Sequence, residues 1–341
     1  MNKQSSLLLE VRNLKTYFTL REGVVRAVDG VSFTVDQGQT VGVVGESGCG
    51  KSMTARSIMR IEPRLGKIIE GEILLHRSPS TQDNQRNDVI DLAQLEKTDP
   101  TIRRIRGAEM AMIFQEPMAS LSPVHTIGFQ IMEGILLHQK VTRAEARQLA
   151  IETLNLVGMP QPSATIDRYP HQLSGGMRQR AMIAMTLACR PSLLIADEPT
   201  TALDVTTQAQ ILTLMRRLQA ELGMAILFIT HDLGVIAKMT QYVIVMYLGK
   251  VVETAEVKEL FRDPKHPYTE ALMASIPQLG RKQRSRLAVI PGNVPDPFSI
   301  PTGCPFHPRC HRAIPGVCDV QEPPVVAMAP RHTVRCILYA S

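Results

Sequence analysis

Two stretches of this chain hold residue types able to handle a phosphorylated ligand. Gly45-Glu46-Ser47-Gly48-Cys49-Gly50-Lys51-Ser52 fits the spacing G-x-x-x-x-G-K-[ST], and Met53 follows it. In such a turn the glycines let backbone N–H groups converge on phosphate oxygens with no Cβ in the way, and a helix start adds its partial positive charge. Lys51 would reach the outer phosphates and the Ser52 hydroxyl would ligate Mg²⁺. Leu193-Leu194-Ile195-Ala196-Asp197-Glu198 is an apolar run ending in two carboxylates. Asp197 suits the outer sphere of the Mg²⁺. Glu198 is placed to act as general base on an attacking water, an effect worth about 10²–10⁴ in rate. The pair of motifs points to nucleotide hydrolysis.

A third group is made of cysteines. Cys304, Cys310, Cys318 and Cys336 are separated by five, seven and seventeen residues. A reducing compartment argues against two stable disulfides, whereas four thiolates suit tetrahedral Zn²⁺ or an iron–sulfur cluster. The spacing matches neither the short zinc-ribbon pattern nor the ferredoxin run, so by itself it leaves a metal site and scattered thiols both open. His307 and His311 keep zinc as a rival. Cys49 fills a variable loop position, and Cys189 falls in a predicted helix.

The elements that must position these residues read as α/β. Leu7–Val11, Ala27–Val35, Thr40–Val44 and Met110–Phe114 have strand patterns, and a helix is expected from near Lys51. Residues 77–91 are polar and suit a hairpin tip or loop. Strand signals vanish between Glu116 and Arg190, where Thr142–Val157 has helical spacing, so a helical subdomain interrupts the α/β core. Strands return at Leu193–Ala196, Ala225–Thr230 and Tyr242–Tyr247, with a helix at Val205–Leu222. That alternation implies parallel pairing through right-handed crossovers.

The chain has 341 residues, 44% of them hydrophobic and 21% charged, with a formal net charge of +6. This excludes a disordered tail protein and a disulfide-stapled miniprotein, and it allows roughly two domains. No run approaches the ~18 apolar residues that span a bilayer. The apolar stretch within Met1–Glu10 is too short for a signal peptide, so a cytosolic location is expected. From residue 281 onward there are eight Lys and Arg against three Asp and Glu, so nearly all the surplus charge sits in the tail, with the four cysteines.

Leu173-Ser174-Gly175-Gly176-Met177 resembles the signature motif of ATP-binding-cassette (ABC) ATPases, with Met177 where the family usually has Gln. Gln115, in Phe114-Gln115-Glu116-Pro117, resembles the family's Q-loop glutamine, which touches Mg²⁺ and couples to the membrane partner. Thr201-Ala202-Leu203-Asp204 resembles the D-loop at the dimer interface, and His231 resembles the switch histidine that senses the γ-phosphate. Phe18, or its neighbour Tyr17, lies where the family stacks an aromatic ring on adenine.

His266-Pro267-Tyr268-Thr269, the stretches Met112–Pro117 and Arg168–Arg180, and Gly303–Cys310 resemble ATP-binding subunits of oligopeptide, dipeptide and nickel importers. The resemblance implies an ABC-type core with an antiparallel β subdomain and a helical subdomain at about 116–190. The nucleotide-binding domain would span 1–280, and a cysteine-bearing extension 281–341. It implies ATP and Mg²⁺, and for the cysteines a [4Fe–4S] cluster of structural role, with Zn²⁺ as the alternative. The implied partners are a second cassette paired head-to-tail, two transmembrane permease subunits and an extracytoplasmic substrate-binding protein. No nucleic acid is expected, and the implied place is the cytoplasmic face of the inner membrane. The substrate stays open between peptides and a nickel chelate, glutathione or opine.

Overall fold

The computed structural model describes residues 7–77, 88–115, 120–201, 203–275 and 290–340. Most of the polar stretch expected as a hairpin tip (78–87) lies outside these residues. So do Glu116, Pro117, Ala202 and residues 281–289 of the expected extension. The chain divides into two units. The first is Met1–Leu8, Asp36–Gln39 and Leu95–Leu227; the second is Leu9–Val35, Thr40–Gln94 and Phe228–Ser341.

In the second unit, β1 (Leu7–Thr19), β2 (Val24–Asp36), β4 (Gly66–Arg77) and β5 (Asp88–Asp91) form a sheet in the order β2-β1-β4-β5. β1 runs antiparallel to β4, and β4 to β5. Asp88–Asp91 falls in the stretch expected as a hairpin tip or loop. It is a strand because its backbone completes the β4 ladder from Leu74 to Arg77, whatever its side-chain polarity.

The same unit holds β3 (Thr40–Val44), β9 (Tyr242–Tyr247), β10 (Lys250–Glu256), β11 (Val325–Ala329) and β12 (His332–Arg335), ordered β11-β12-β10-β9-β3. β3 pairs in parallel with β9, as the alternation implied, and its five residues are all buried. β9 turns into β10 through Leu248 and Gly249, both at positive φ (43° and 79°), a turn that matches the twist of a hairpin. Helix α1 (Lys51–Ile58) follows β3. The tail beyond residue 290 shares this unit's core. Phe306 packs with Val44, Tyr247, Leu260 and Tyr268, its ring centroid 5.2 Å from Tyr247 and 5.3 Å from Tyr268. Each such aromatic pair is worth about 0.5–1.5 kcal/mol beyond area burial.

In the first unit, β6 (Met110–Ile113) pairs in parallel with β7 (Leu193–Asp197). Around them are α2 (Pro100–Ala108), α3 (Ile127–His138), α4 (Arg143–Leu156), α5 (Pro162–Thr165), α6 (Gly175–Leu187) and α7 (Val205–Leu222). α4 starts where expected because Thr142 and Glu145 form a reciprocal capping box. β8 (Ala225–Ile229) begins in this unit and ends in the other. Helices α8 (Leu233–Met239), α9 (Val257–Arg262) and α10 (Pro267–Ala274) belong to the second unit.

Candidate active site

The glycine loop sits between β3 and α1. A Cβ on Gly45 would lie 2.2 Å from the Met246 carbonyl oxygen, and one on Gly50 2.2 Å from that of Ala27. Gly50 also has φ 103°. Backbone approaching that closely leaves no room for a side chain, so Gly45 lets the loop lie against β9 and Gly50 lets it lie against β2. Gly50 offers α1 no capping side chain. The first-turn amides of that helix are therefore the donors a phosphate would take. Lys51 is 5% exposed, and its Nζ donates to the carbonyls of Gly45 (2.7 Å) and Glu46 (3.0 Å). Cys49 is buried, which pushes its thiol pKa up and keeps it inert.

Phe18, on β1, has its ring end against Gly66, where an added Cβ would stand 3.0 Å from Cζ. Tyr17 is committed elsewhere: its hydroxyl donates to Asp29 Oδ1 at 2.6 Å. Burial, then that bond, pushes the phenol pKa up to about 12. His231 is exposed, two residues beyond β8, and Asp232 after it caps α8 by accepting from Gly234 (2.7 Å) and Val235 (3.2 Å).

Gln115, Ser174–Gly176, Asp197, Glu198 and Asp204 all lie in the first unit. Asp197 ends the buried β7 and is 3% exposed. Glu198 then adopts φ +47°, a left-handed conformation that costs a non-glycine residue about 1–3 kcal/mol. Its Oε2 accepts from Gln115 Nε2 (3.2 Å) and Thr201 Oγ1 (2.8 Å). The fold thus brings together Gln115 and Glu198, more than eighty residues apart, and adds Thr201 as a carboxylate partner that sequence reasoning assigned no such role.

Ser174 caps α6 by accepting from the Met177 N–H at 3.4 Å. A Cβ on Gly175 would meet nothing within 4 Å, while one on Gly176 would come within 3.1 Å of Thr207 Cγ2. Packing among the described residues therefore does not require glycine at 175. Asp204 caps α7, accepting from Thr207 N (3.0 Å) and Thr207 Oγ1 (2.6 Å), and these bonds hold its carboxyl below the usual range.

Cys304, Cys310, Cys318 and Cys336 are free thiols lining one nearly closed crevice of about 10 Å³, with His266, His307 and Phe306. Burial is the main force raising the Cys304 pKa, to about 11, and the other three thiols add to it. The donor set is soft, as a metal cluster requires. Among the described residues, however, no three His, Cys, Asp or Glu side chains gather closely enough to hold a metal ion. His307 Nδ1 lies 3.0 Å from the Cys304 carbonyl, a bond that leaves its Nε2 unused by that contact, and His311 is exposed with its Nε2 3.8 Å from Glu270. His266 is spent as the cap of α10, accepting from Tyr268 N at 3.0 Å.

A family profile described as ABC transporter matches residues 28–201. The chain belongs to the ABC transporter family. A second profile, the C-terminal region of oligopeptide/dipeptide transporters, matches residues 252–318. The chain is 49% identical over 335 residues to the oligopeptide transport ATP-binding protein AppD of Bacillus subtilis, covering 98% of this chain and 97% of that protein. It is 46% identical to the dipeptide transport ATP-binding protein DppD of Escherichia coli, covering 96% of each. The dimeric structure of a post-hydrolysis ATP-binding cassette bound to ADP and Pi matches with a TM-score of 0.62 and 26% identity, over 73% of this chain and 99% of that one. The fold is therefore that of the ABC cassette. Its core match takes in the glycine loop, Gln115, Ser174–Gly176, Asp197 and Glu198, and stops short of Asp204 and His231. The C-terminal match takes in Tyr268 and three of the four clustered cysteines, leaving Cys336 beyond it.

Proposed function

We propose that this chain is the ATP-hydrolysing subunit of a membrane importer that takes up peptides. The reading is carried by the glycine loop of the second unit, fixed by backbone contact at Gly45 and Gly50, and, in the first unit, by the Glu198 carboxylate held by Gln115 and Thr201. The near full-length similarity to oligopeptide and dipeptide transport ATP-binding proteins supports peptides as the cargo over a nickel chelate, glutathione or opine.

In this reading residues 1–280 are the nucleotide-binding domain and 281–341 its extension. Phe18 stacks on adenine. Gly45–Met53 cradle the phosphates, and Lys51 exchanges its loop carbonyls for phosphate oxygens. Ser52, Gln115 and Asp197 supply hard oxygen donors, the chemistry that suits Mg²⁺. Mg²⁺, when bound, neutralises phosphate charge. Glu198 takes the proton of the attacking water, its carboxylate fixed in advance by Gln115 and Thr201, and His231 senses the terminal phosphate. Ser174, Gly175 and Gly176 present α6 to nucleotide on a second, homologous cassette, and Asp204 lies at that interface. The exposure of Ser174 and the open space at Gly175 support that pairing. Two permease subunits and an extracytoplasmic binding protein complete the assembly, at the cytoplasmic face of the inner membrane. Among the described residues no helix is long and apolar enough to cross a membrane.

The four soft thiols on one crevice support a [4Fe–4S] cluster, with Zn²⁺ the alternative, though their present separation closes no ligand shell. No step of hydrolysis is routed through them.

The test is reconstitution with the membrane subunits in vesicles. ATP hydrolysis stimulated by peptide-loaded binding protein is the expected result. Recovery of the chain with nucleic acid and without membrane subunits would contradict it.

A further inference from the structure

Glu46 is the second residue of the phosphate loop, and each of its polar groups is taken. Its carbonyl accepts from Lys51 Nζ (3.0 Å), and its N–H donates to the Tyr268 hydroxyl at 2.8 Å. Its carboxylate receives a two-pronged bond from Arg309: Nη1 to Oε2 at 2.7 Å and Nη2 to Oε1 at 3.0 Å. Arg309 is 263 residues away in the chain, in the turn between Cys304 and Cys310.

The guanidinium is held from several sides. Its Nε donates to the Pro291 carbonyl (3.0 Å), and it stands 5.9 Å from the Tyr247 ring centroid and 6.0 Å from that of Phe306. The Arg309 side chain is 4% exposed and that of Glu46 is 25% exposed. An ion pair so shielded is screened far less by salt than one on the surface, and the paired fork fixes orientation as well as charge.

A carboxylate inside a loop built for polyphosphate is an electrostatic liability. Left uncompensated, Glu46 would repel the anion that the neighbouring amides attract. We infer that Arg309 is a positioning residue for nucleotide binding: it cancels the Glu46 charge and pins that carboxylate away from the phosphates, so that ATP affinity depends on the C-terminal extension. This rests on the reading of Gly45–Ser52 as the nucleotide loop. The extension is thereby a working part of the ATP site.

The test measures equilibrium ATP binding to the full chain and to Lys51→Ala, Arg309→Met, Arg309→Lys, Glu46→Gln and the Arg309→Met/Glu46→Gln double variant, with melting curves to report folding. Arg309→Met should weaken ATP binding about tenfold, since an unpaired carboxylate now faces the phosphates. Arg309→Lys keeps the charge without the fork and should lose about threefold. Glu46→Gln in the Arg309→Met background should bring affinity back to within about threefold of wild type, because the offending charge is gone. Recovery by removing a second group is what a merely structural arginine would not show. Wild-type affinity in both Arg309 variants overturns the inference, as does a double variant no better than Arg309→Met. If Arg309→Met fails to fold, Arg309→Lys and the double variant carry the same decision. A wild-type chain that binds no ATP overturns the nucleotide reading, and this inference with it.

Discussion

The phosphate loop and the thiol crevice lie in the same unit, and their chemistry is organised in opposite ways. The loop uses backbone N–H groups whose directions follow from where glycine sits, so eight consecutive residues contain nearly all of its design. The crevice uses side chains drawn from a 3-10 turn, a loop and the end of β12, brought together by long-range packing around Phe306. A site made of backbone is local; a site made of side chains waits for the whole fold. Arg309 joins the two, anchored among the crevice's aromatic neighbours and bonded to the loop's Glu46.

The largest effect expected concerns the acid end of β7. Glu198→Gln should lower ATP hydrolysis by the assembled transporter at least 10²-fold while ATP still binds. Near-normal turnover would show that the carboxylate held by Gln115 and Thr201 is not the base. Next come the glycines. Gly50→Ala forces a Cβ into the Ala27 carbonyl and should cost about 2–4 kcal/mol in denaturant unfolding, together with most ATP affinity. Gly175→Ala meets open space, should leave stability within about 1 kcal/mol, and should impair only hydrolysis that needs two cassettes. Equal destabilisation by both would erase the distinction between a glycine required by packing and one required by a partner.

The crevice has its own test. A [4Fe–4S] cluster gives a brown chain, and Cys310→Ala should abolish the colour and the bound iron. Zinc found alone by metal analysis would replace the cluster, and absence of both metals would leave four packed thiols.

The last effect is one of pH. Burial pushes the His266 pKa down to about 3, because the charged ring would lose its solvation. A folded pKa below the unfolded value of about 6.5 means that this stabilisation is intact above pH 6.5. It fades as pH falls toward 3, by up to about 1.4 kcal/mol per unit. His266→Asn keeps a helix cap without the titration, so its unfolding free energy should fall less steeply between pH 6.5 and 4.5. Parallel curves would contradict a neutral buried histidine.

Much of the fold was legible because hydrophobic period and caps agree. β3, α7 and β9 run over the stretches their patterns marked, and α4 begins at its capping box. β5 was missed because a polar edge strand is held by backbone pairing alone, and β10 to β12 drew no strand reading either. In the site, the loop and Glu198 could be named as candidates from local pattern, and Gln115 and Ser174 only through the family resemblance. Thr201 as a partner of Glu198, and Tyr268 and Arg309 as partners of Glu46, could not. Each acts across a distance in the chain, or through a conformation such as the positive φ of Glu198, for which residue order holds no signal.

The central claim is that the loop from Gly45 to Ser52 binds ATP. Equilibrium binding of ATP with Mg²⁺ to the full chain and to Lys51→Ala tests it most directly. The account predicts saturable binding that the substitution weakens by at least about tenfold. Equal binding by the two chains would contradict it.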